Sequence, residues 1–519
     1  MAGTGRLLVG MALVFGALLL ATAWREPYGL FHDEFYYWAC SKRLGLGYVD
    51  HPPLAPWLLA ASQALLGDGI LGFRLVPALC GAGTLLLSGL MARSFGAGRY
   101  GQLVAGLGMA VAPFPLAFFG FYSVNALEIL FWTATCFVVA ELLRTRNERL
   151  WLALGALAGL ALLNKHTFAL LGFGLALGVL ATPLRAQLRS RWLWLGMAVA
   201  LLLAAPNLYW NAVNDWPSWA FYQSREHLNL PTTFGQALFL QFAGMNPANA
   251  LLWVPGVAFL LFSRRARPYR PLGIAFLVLW IVILVSGQRR GDRIAGVYPL
   301  ALAAGAAFWD GWRGRGRTAL RWGVPAAMLA FGALLLPAAL PVLPPERMAS
   351  YFEMLGEDSE IEAVDVGQKI PVHLMGRLGW ERFVDQVLAA LALLSPEERE
   401  RAVLLVPHWV YGSALEYYTR DRDLPPVVSP HNAYFFWRGE GAGREVVVTV
   451  ASEVEVLEEY FAAIRSLGLY RCEYCPDWRP NLPILASYRP VRPLEELLVE
   501  WRTFSIRAAP DLVGWYLDD

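Results

Sequence analysis

The sequence predicts a mainly α-helical, polytopic membrane bundle of about eleven spans, followed by a C-terminal external α/β domain. Three observations lead there. The 519 residues are 57% hydrophobic and only 16% charged, with a mean hydropathy of +0.43. Soluble domains carry about 25% charged residues, and a soluble chain of this length would need polar surface for roughly three domains. The apolar mass is also uneven. Apolar runs alternate with short polar breaks up to about residue 343, whereas from 344 onward charges are frequent and no run is long enough to span a bilayer. Finally, arginines collect in every second break, the pattern expected of cytoplasmic loops. The same composition excludes a disordered chain, a collagen and a disulfide-stapled mini-protein. A net charge of +2 argues against a nucleic-acid-binding protein.

A spanning helix needs about 20 apolar residues. Candidate spans are 6–24, 70–92, 101–119, 122–143, 150–163, 166–182, 192–212, 234–262, 271–287, 294–309 and 319–341. The segments 150–163 and 294–309 are short, so a tilted or re-entrant arrangement competes there. The basic breaks are Arg93 and Arg99; Arg144, Arg146 and Arg149; Arg185, Arg189 and Arg191; Arg264, Arg265, Arg267 and Arg270; and Arg313, Arg315, Arg317 and Arg321. They place Arg6 and the start of the chain in the cytoplasm. The 25–69 loop and the 344–519 domain then lie on the outer face, with 1–343 as the membrane domain. The first span has a second reading. Residues 7–20 fit the apolar region of a signal peptide, and Ala21-Thr22-Ala23 resembles a cleavage site.

In the tail, 402–406 and 445–450 read as strands and 379–394, 412–420 and 453–466 as helices. Ser395 and Ser452 are candidate helix caps. Cys80 and Cys136 sit in apolar spans as small core residues. Cys472-Glu-Tyr-Cys475 lacks the flanking strand and helix of a redox motif, so a local disulfide or free thiols is the simpler reading.

Polar residues concentrate at the predicted outer face. The first loop reads His32-Asp33-Glu34-Phe35-Tyr36-Tyr37-Trp38, then Gly47-Tyr48-Val49-Asp50-His51-Pro52-Pro53-Leu54. The rings alone are explained by an aromatic belt. Paired carboxylates near hydrocarbon need a partner or a task, such as general base or metal ligand. Asn125 and Glu128, three residues apart, share one face of a span. A carboxylate at mid-helix costs roughly 2.5–3.5 kcal/mol on insertion scales, so Glu128 should face a protein cavity; a plain helix–helix hydrogen bond is the bland alternative. Arg74, Lys165 and His166 are further charged or polar groups at membrane depth, and Arg74 could simply snorkel. Arg289, Arg290 and Arg293 form the one strongly basic outer loop, against the topology rule. An anionic lipid phosphate would explain that exception.

These residues together resemble C-type membrane glycosyltransferases. The D-E-x-x-Y-W run with G-Y-x-D-H-P-P-L resembles the first external loop of bacterial relatives of the dolichyl-phosphate-mannose–protein mannosyltransferases, which are similar in turn to lipid A aminoarabinose transferases. Matching pieces are Arg74-Leu75, Asn125-Ala126-Leu127-Glu128, Asn164-Lys165-His166-Thr167, Pro206-Asn207-Leu208, Met245-Asn246-Pro247 and Tyr298-Pro299. In the tail they are Tyr411-Gly412-x3-Glu416-Tyr417-Tyr418, Leu424-Pro425-Pro426 and Ser429-x-His431-Asn432-x-Tyr434-x2-Trp437. The likeness covers about residues 20–440.

The resemblance implies an inverting hexosyl- or pentosyltransferase of the bacterial inner membrane, acting in cell-envelope glycosylation. Its donor would be a polyprenyl-phosphate sugar and its acceptor a protein, lipid or glycan hydroxyl. Asp33 matches the aspartate taken as catalytic and Glu34 its acidic neighbour. Glu128 matches a second acidic position, where relatives often carry aspartate. His51, Arg74, Asn125, Lys165, His166, Arg289, Arg290, Arg293, Tyr298, His431 and Asn432 would bind substrate. Many relatives carry a lysine and paired tyrosines where this chain has Arg289-Arg290-Gly291-Asp292-Arg293. No cofactor follows from the sequence; a divalent metal, with Glu34 and Glu128 as candidate ligands, is compatible with it. The rival from another class is a transporter or flippase of lipid-linked saccharides, which would also want internal charges but not paired carboxylates in an external loop.

Overall fold

The computed structural model describes residues 2–24, 28–224, 232–287, 290–312, 317–355, 370–441, 443–450, 454–471, 481–509 and 512. The chain divides into two compact units. The first is Met1–Pro27, Pro52–Tyr209 and Asn229–Tyr351; the second is Tyr28–His51, Trp210–Leu228 and Phe352–Asp519. Residues 28–51 of the first loop thus group with the tail.

The first unit is an apolar helix bundle. Six helices are long and apolar enough to cross a membrane: Thr4–Trp24, Ile70–Ser94, Val124–Thr145, Arg191–Val213, Arg267–Val285 and Thr318–Ala339. Three bent pairs raise the number to nine if each is one span: Arg99–Ala110 with Pro113–Phe119, Phe168–Leu180 with Pro183–Arg189, and Phe234–Ala243 with Pro247–Phe262. Among the described residues, length and composition therefore give six to nine spans and do not reach eleven. The two segments flagged as short account for the gap. Leu150–Asn164 has 15 residues. Segment 294–309 becomes a 3₁₀ turn, Gly291–Val297, and a 14-residue helix, Tyr298–Gly311. At 1.5 Å per residue such helices reach about 22 Å, against roughly 30 Å of hydrocarbon.

Close helix approach in the bundle depends on missing side chains. A Cβ on Gly305 would run into the Leu252 carbonyl, and one on Gly256 into the Ala301 carbonyl. The small residues Ala301 and Gly305 lie one turn apart, which lets helix Tyr298–Gly311 press its backbone against helix Ala250–Phe262. The 234–262 segment, expected as one span, is instead broken by 91°. Asn246 sits in the break at φ 69° and its side chain accepts from Ala248 N–H. Its amide nitrogen donates to the carbonyls of Val111 (3.2 Å) and Met328 (3.0 Å). Asn249 similarly donates to Gly108 O at 2.8 Å. Irregular backbone at membrane depth survives only where protein groups satisfy it.

The second unit is built on a five-stranded sheet. The strands are β1 Ala402–Leu405, β2 Val427–Val428, β3 Val446–Val450, β4 Phe461–Arg471 and β5 Asn481–Pro490, in the order β2-β1-β3-β5-β4. β1 pairs parallel with both β2 and β3, while β5 runs antiparallel to β3 and β4. All of β3 is buried, which fits its unbroken Val-rich run. Helix Trp380–Leu391 buries Trp380, Phe383, Val384, Val387, Ala390 and Leu391, one stripe at helical spacing. Ser395 caps the next helix by accepting from Glu398 N–H; Ser452 and the Cys472/Cys475 pair lie outside the described residues. The expected helix 453–466 is corrected. Only Val454–Leu457 is helical, and 461–471 is strand β4. Glu455-to-Arg465 has helical propensity, but pairing with β5 across a bulge at Ser466/Gly468 overrides it.

Candidate active site

The carboxylates of the first loop open a helix, His32–Lys42. Phe31 is its N-cap in extended conformation, and the Phe31 N–H donates to Glu34 Oε2 at 2.8 Å. Glu34 is fully buried and is the third helical residue, where a carboxylate reaching back satisfies an orphan amide. Asp33 points elsewhere. Its side chain is 37% exposed, with His32 Nε2 at 3.2 Å. The two adjacent acids therefore have different fates: Glu34 builds the helix start and Asp33 is presented from it.

The other residues of Tyr28–His51 pack on this helix and on the tail. Tyr36 stacks on Trp409 at 4.4 Å, donates to Asp50 Oδ1 at 2.9 Å and accepts from Ala433 N–H. His51 is buried, with its Nε2 3.9 Å from Asp50 Oδ1 and 4.0 Å from Cys40 Sγ. Burial pushes the Asp50 carboxyl above its ordinary range, opposed by His51 and the Tyr36 hydrogen bond, while Asp33 adds to the rise. His408 follows β1 and caps helix Trp409–Tyr418, its Nδ1 accepting from Val410 N–H and its Nε2 donating to Ile506 O at 2.8 Å. Burial pulls its pKa to about 4, so it stands neutral near Asp33. The sequence reading missed His408 and Trp409. A histidine between a strand and a helix, at the carboxyl end of a parallel strand, was the available signal. His431, at the end of β2, lies against the His408 ring at 4.2 Å and donates to Arg507 O. Asn432, at φ 47°, exchanges hydrogen bonds with the Ser505 backbone. Both are fully buried and tie segment 503–507 to the sheet.

A second polar cluster lies in the first unit. Lys165 ends helix Leu150–Asn164, and its ammonium donates to Glu128 Oε2 at 2.6 Å and Asn125 Oδ1 at 2.7 Å. Thr167 donates to the other Glu128 oxygen. The expected shared face of Asn125 and Glu128 is thus the face that holds Lys165. His166 Nε2 meets Asn207 Oδ1 at 2.9 Å. Arg290 makes a bidentate pair with Asp292 at 2.9 Å for both bonds. Burial would raise the Asp292 carboxyl, but Arg290, with Arg293 and Lys165 behind it, holds it at about 2. Lys165, Arg290 and Arg293 therefore share one electrostatic neighbourhood with Glu128 and Asp292, three cations to two carboxylates. Tyr298 lies beneath this loop, fully buried, donating to Gln241 Oε1 at 2.7 Å while Gln241 Nε2 donates to Gly291 O. Arg74 is 2% exposed and does not snorkel. Arg289 lies outside the described residues.

Glu34 and Glu128 do not fit a metal site in this arrangement. Each carboxylate already receives protein hydrogen-bond donors, and the described residues hold no group of three or more His, Cys, Asp or Glu able to take an ion.

Residues 50–210 match the family of dolichyl-phosphate-mannose-protein mannosyltransferases. The lipid A galacturonosyltransferase RgtD of Rhizobium johnstonii is 29% identical over 40% of this chain and 44% of its own length. An undecaprenyl phosphate-alpha-4-amino-4-deoxy-L-arabinose arabinosyl transferase of Pseudomonas fluorescens is 26% identical over 58% of this chain and 51% of its own. The chain thus spans about half the length of these curated relatives. The crystal structure of ArnT from Cupriavidus metallidurans bound to undecaprenyl phosphate superposes with a TM-score of 0.60 over 93% of this chain and 98% of that one, at 18% identity. The chain is similar to these glycosyltransferases over part of their length. Its fold is that of the ArnT structure, with apolar helices long enough to cross a membrane and a sheet-bearing tail. The matched stretch 50–210 carries Asp50, His51, Arg74, Asn125, Glu128, Lys165 and His166; Asp33 and the tail motif lie outside it.

Proposed function

We propose that the chain is an inverting glycosyltransferase that moves a sugar from a polyprenyl-phosphate donor to an acceptor hydroxyl at the outer face of a bacterial inner membrane. The observation that carries this reading is the separation of the Asp33–Glu34 pair, one carboxylate consumed by the helix start and the other presented. A presented aspartate suits a group that orients or deprotonates an attacking hydroxyl. As the bond to the donor breaks, negative charge grows on the lipid phosphate. The cluster of Lys165, Arg290 and Arg293, with its excess of one positive charge, suits that phosphate. Arg74 adds a buried cation of the same sign. The names of the relatives support an undecaprenyl-phosphate carrier and a lipid acceptor. The arginine-rich breaks support a cytoplasmic start and an external tail.

The test supplies membranes with radiolabelled undecaprenyl phosphate carrying 4-amino-4-deoxy-L-arabinose or galacturonic acid and follows label into lipid, protein and glycan fractions. Wild-type transfer that is lost in Asp33→Asn supports the reading. Equal transfer by the variant removes Asp33 from the chemistry. Movement of intact lipid-linked sugar across the membrane without transfer would favour a flippase.

A further inference from the structure

The helix that presents Asp33 ends at Arg43, whose guanidinium is gripped by two carboxylates of the tail. Arg43 Nε and Nη2 donate to the two oxygens of Glu440, both at 2.9 Å. Nη1 and Nη2 donate to the two oxygens of Glu416, at 3.1 and 2.7 Å. The guanidinium also lies 4.7 Å from the Trp437 ring centroid, and Tyr434 donates to Glu416 Oε2 at 2.7 Å. One side chain thus takes two bidentate carboxylate pairs from two segments of the tail, helix Trp409–Tyr418 and the 3₁₀ segment Asn432–Gly441.

Elsewhere the helix is held mostly by rings, with the Tyr36 hydroxyl bonded to Asp50 and the Ala433 amide. Phe35 packs on Trp380, Tyr417 and Tyr418 at 5.3–5.8 Å, and Tyr36 stacks on Trp409. Ring packing is strong but tolerant of sliding and rotation, whereas a doubly forked guanidinium fixes direction. We infer that Arg43 is a positioning residue that sets where Asp33 stands. The inference rests on the reading of Asp33 as the group that acts on the acceptor. Ten residues of helix separate the two, about 15 Å. A tilt of about 4° at the Arg43 end would displace the Asp33 end by about 1 Å. Misplacement of that size costs about a hundredfold in rate where geometry is critical. The tail residues Glu416, Tyr434 and Trp437 then have a shared purpose: they are the socket for this arginine.

The test uses the full chain in detergent and in membranes. Arg43→Ala and Arg43→Lys are compared with the double variant Glu416→Gln, Glu440→Gln. Lysine keeps the charge and loses the fork. Two readouts are taken, amide hydrogen exchange of peptides covering 32–42 and kcat against KM for the undecaprenyl-phosphate sugar that the wild type transfers. Exchange in 32–42 should rise about tenfold in all three while peptides from β1 and β3 stay unchanged. kcat should fall about 10- to 100-fold with KM for the donor within about twofold. Combining Arg43→Ala with the double variant should add no further loss. Unchanged exchange in 32–42 would overturn the inference, as would losses that add, or a kcat within about twofold of wild type. If Asp33→Asn keeps wild-type turnover while Arg43→Ala still loosens the helix, the reading of Asp33 fails and the latch itself stands.

Discussion

Replacing Glu128 with glutamine separates a residue that acts on substrate from one that holds another side chain. Its carboxylate lies 2.6 Å from the Lys165 ammonium, and both are largely buried. At an effective dielectric of about 20, that pair attracts with about 6 kcal/mol before desolvation is subtracted. Removing one partner of a fully buried pair costs about 3–5 kcal/mol. Glutamine still accepts from Lys165 and the ammonium is partly exposed, so a net loss of about 2 kcal/mol is expected. The melting temperature in detergent should fall by a few degrees. Donor binding should move the other way. The cluster goes from one excess positive charge to two, and a unit charge about 10 Å from a phosphate contributes about 1.7 kcal/mol at this dielectric, roughly fifteenfold in affinity. Titration with undecaprenyl phosphate measures this directly. Transfer should stay within about tenfold of wild type. Abolished transfer with unchanged melting and binding would refute the argument and return Glu128 to the reacting atoms.

Other expectations follow from the same geometry. Glu34→Ala should lower stability by about 1 kcal/mol through the lost amide partner, and Glu34→Gln should retain most transfer, in contrast to Asp33→Asn; equal losses in Glu34→Gln and Asp33→Asn would contradict the different fates of the two acids. His408 is held neutral, with its folded pKa about 4 against an ordinary 6.5. The unfolded chain therefore binds a proton that the folded one does not between those values, and the His408 contribution to stability should fall by about 3 kcal/mol as pH drops from about 6.5 to 4. Urea unfolding of the second unit, followed by exchange of β1 peptides, should show this slope, to which the buried His431 adds in the same direction, and His408→Asn should reduce it. Gly305→Leu should disrupt folding in the membrane, because Leu252 O occupies the space its Cβ needs; wild-type yield and melting would contradict the close approach.

The apolar segments, the tail's strands at 402–406 and 445–450 and the helix at 379–394 were legible because each is set by local periodicity. Glu34 was visible as an acid, and its place three residues past the cap makes its role intelligible. What was not legible is contact across sequence. Nothing local to Glu128 announces Lys165, 37 positions on, and nothing near Arg43 announces Glu416 and Glu440. Those pairs form only when the fold delivers them, and their worth depends on burial that no window of sequence reports. Strand β4 failed for the opposite reason: its local preference is helical, and a neighbouring strand decides against it.

The bent helix at Asn246 bears on how the protein is made. Its amide answers a carbonyl at Val111, already synthesised, and one at Met328, some eighty residues still to come. While those residues are missing, the kink at 244–246 leaves a polar group in need of a partner, and the cheapest refuge is water or the insertion machinery instead of lipid. This stretch therefore settles late, after helix Arg317–Ala339 has entered. A chain truncated before residue 328 should leave that segment outside the bilayer, to be recognised as unfinished by whatever degrades orphaned membrane proteins.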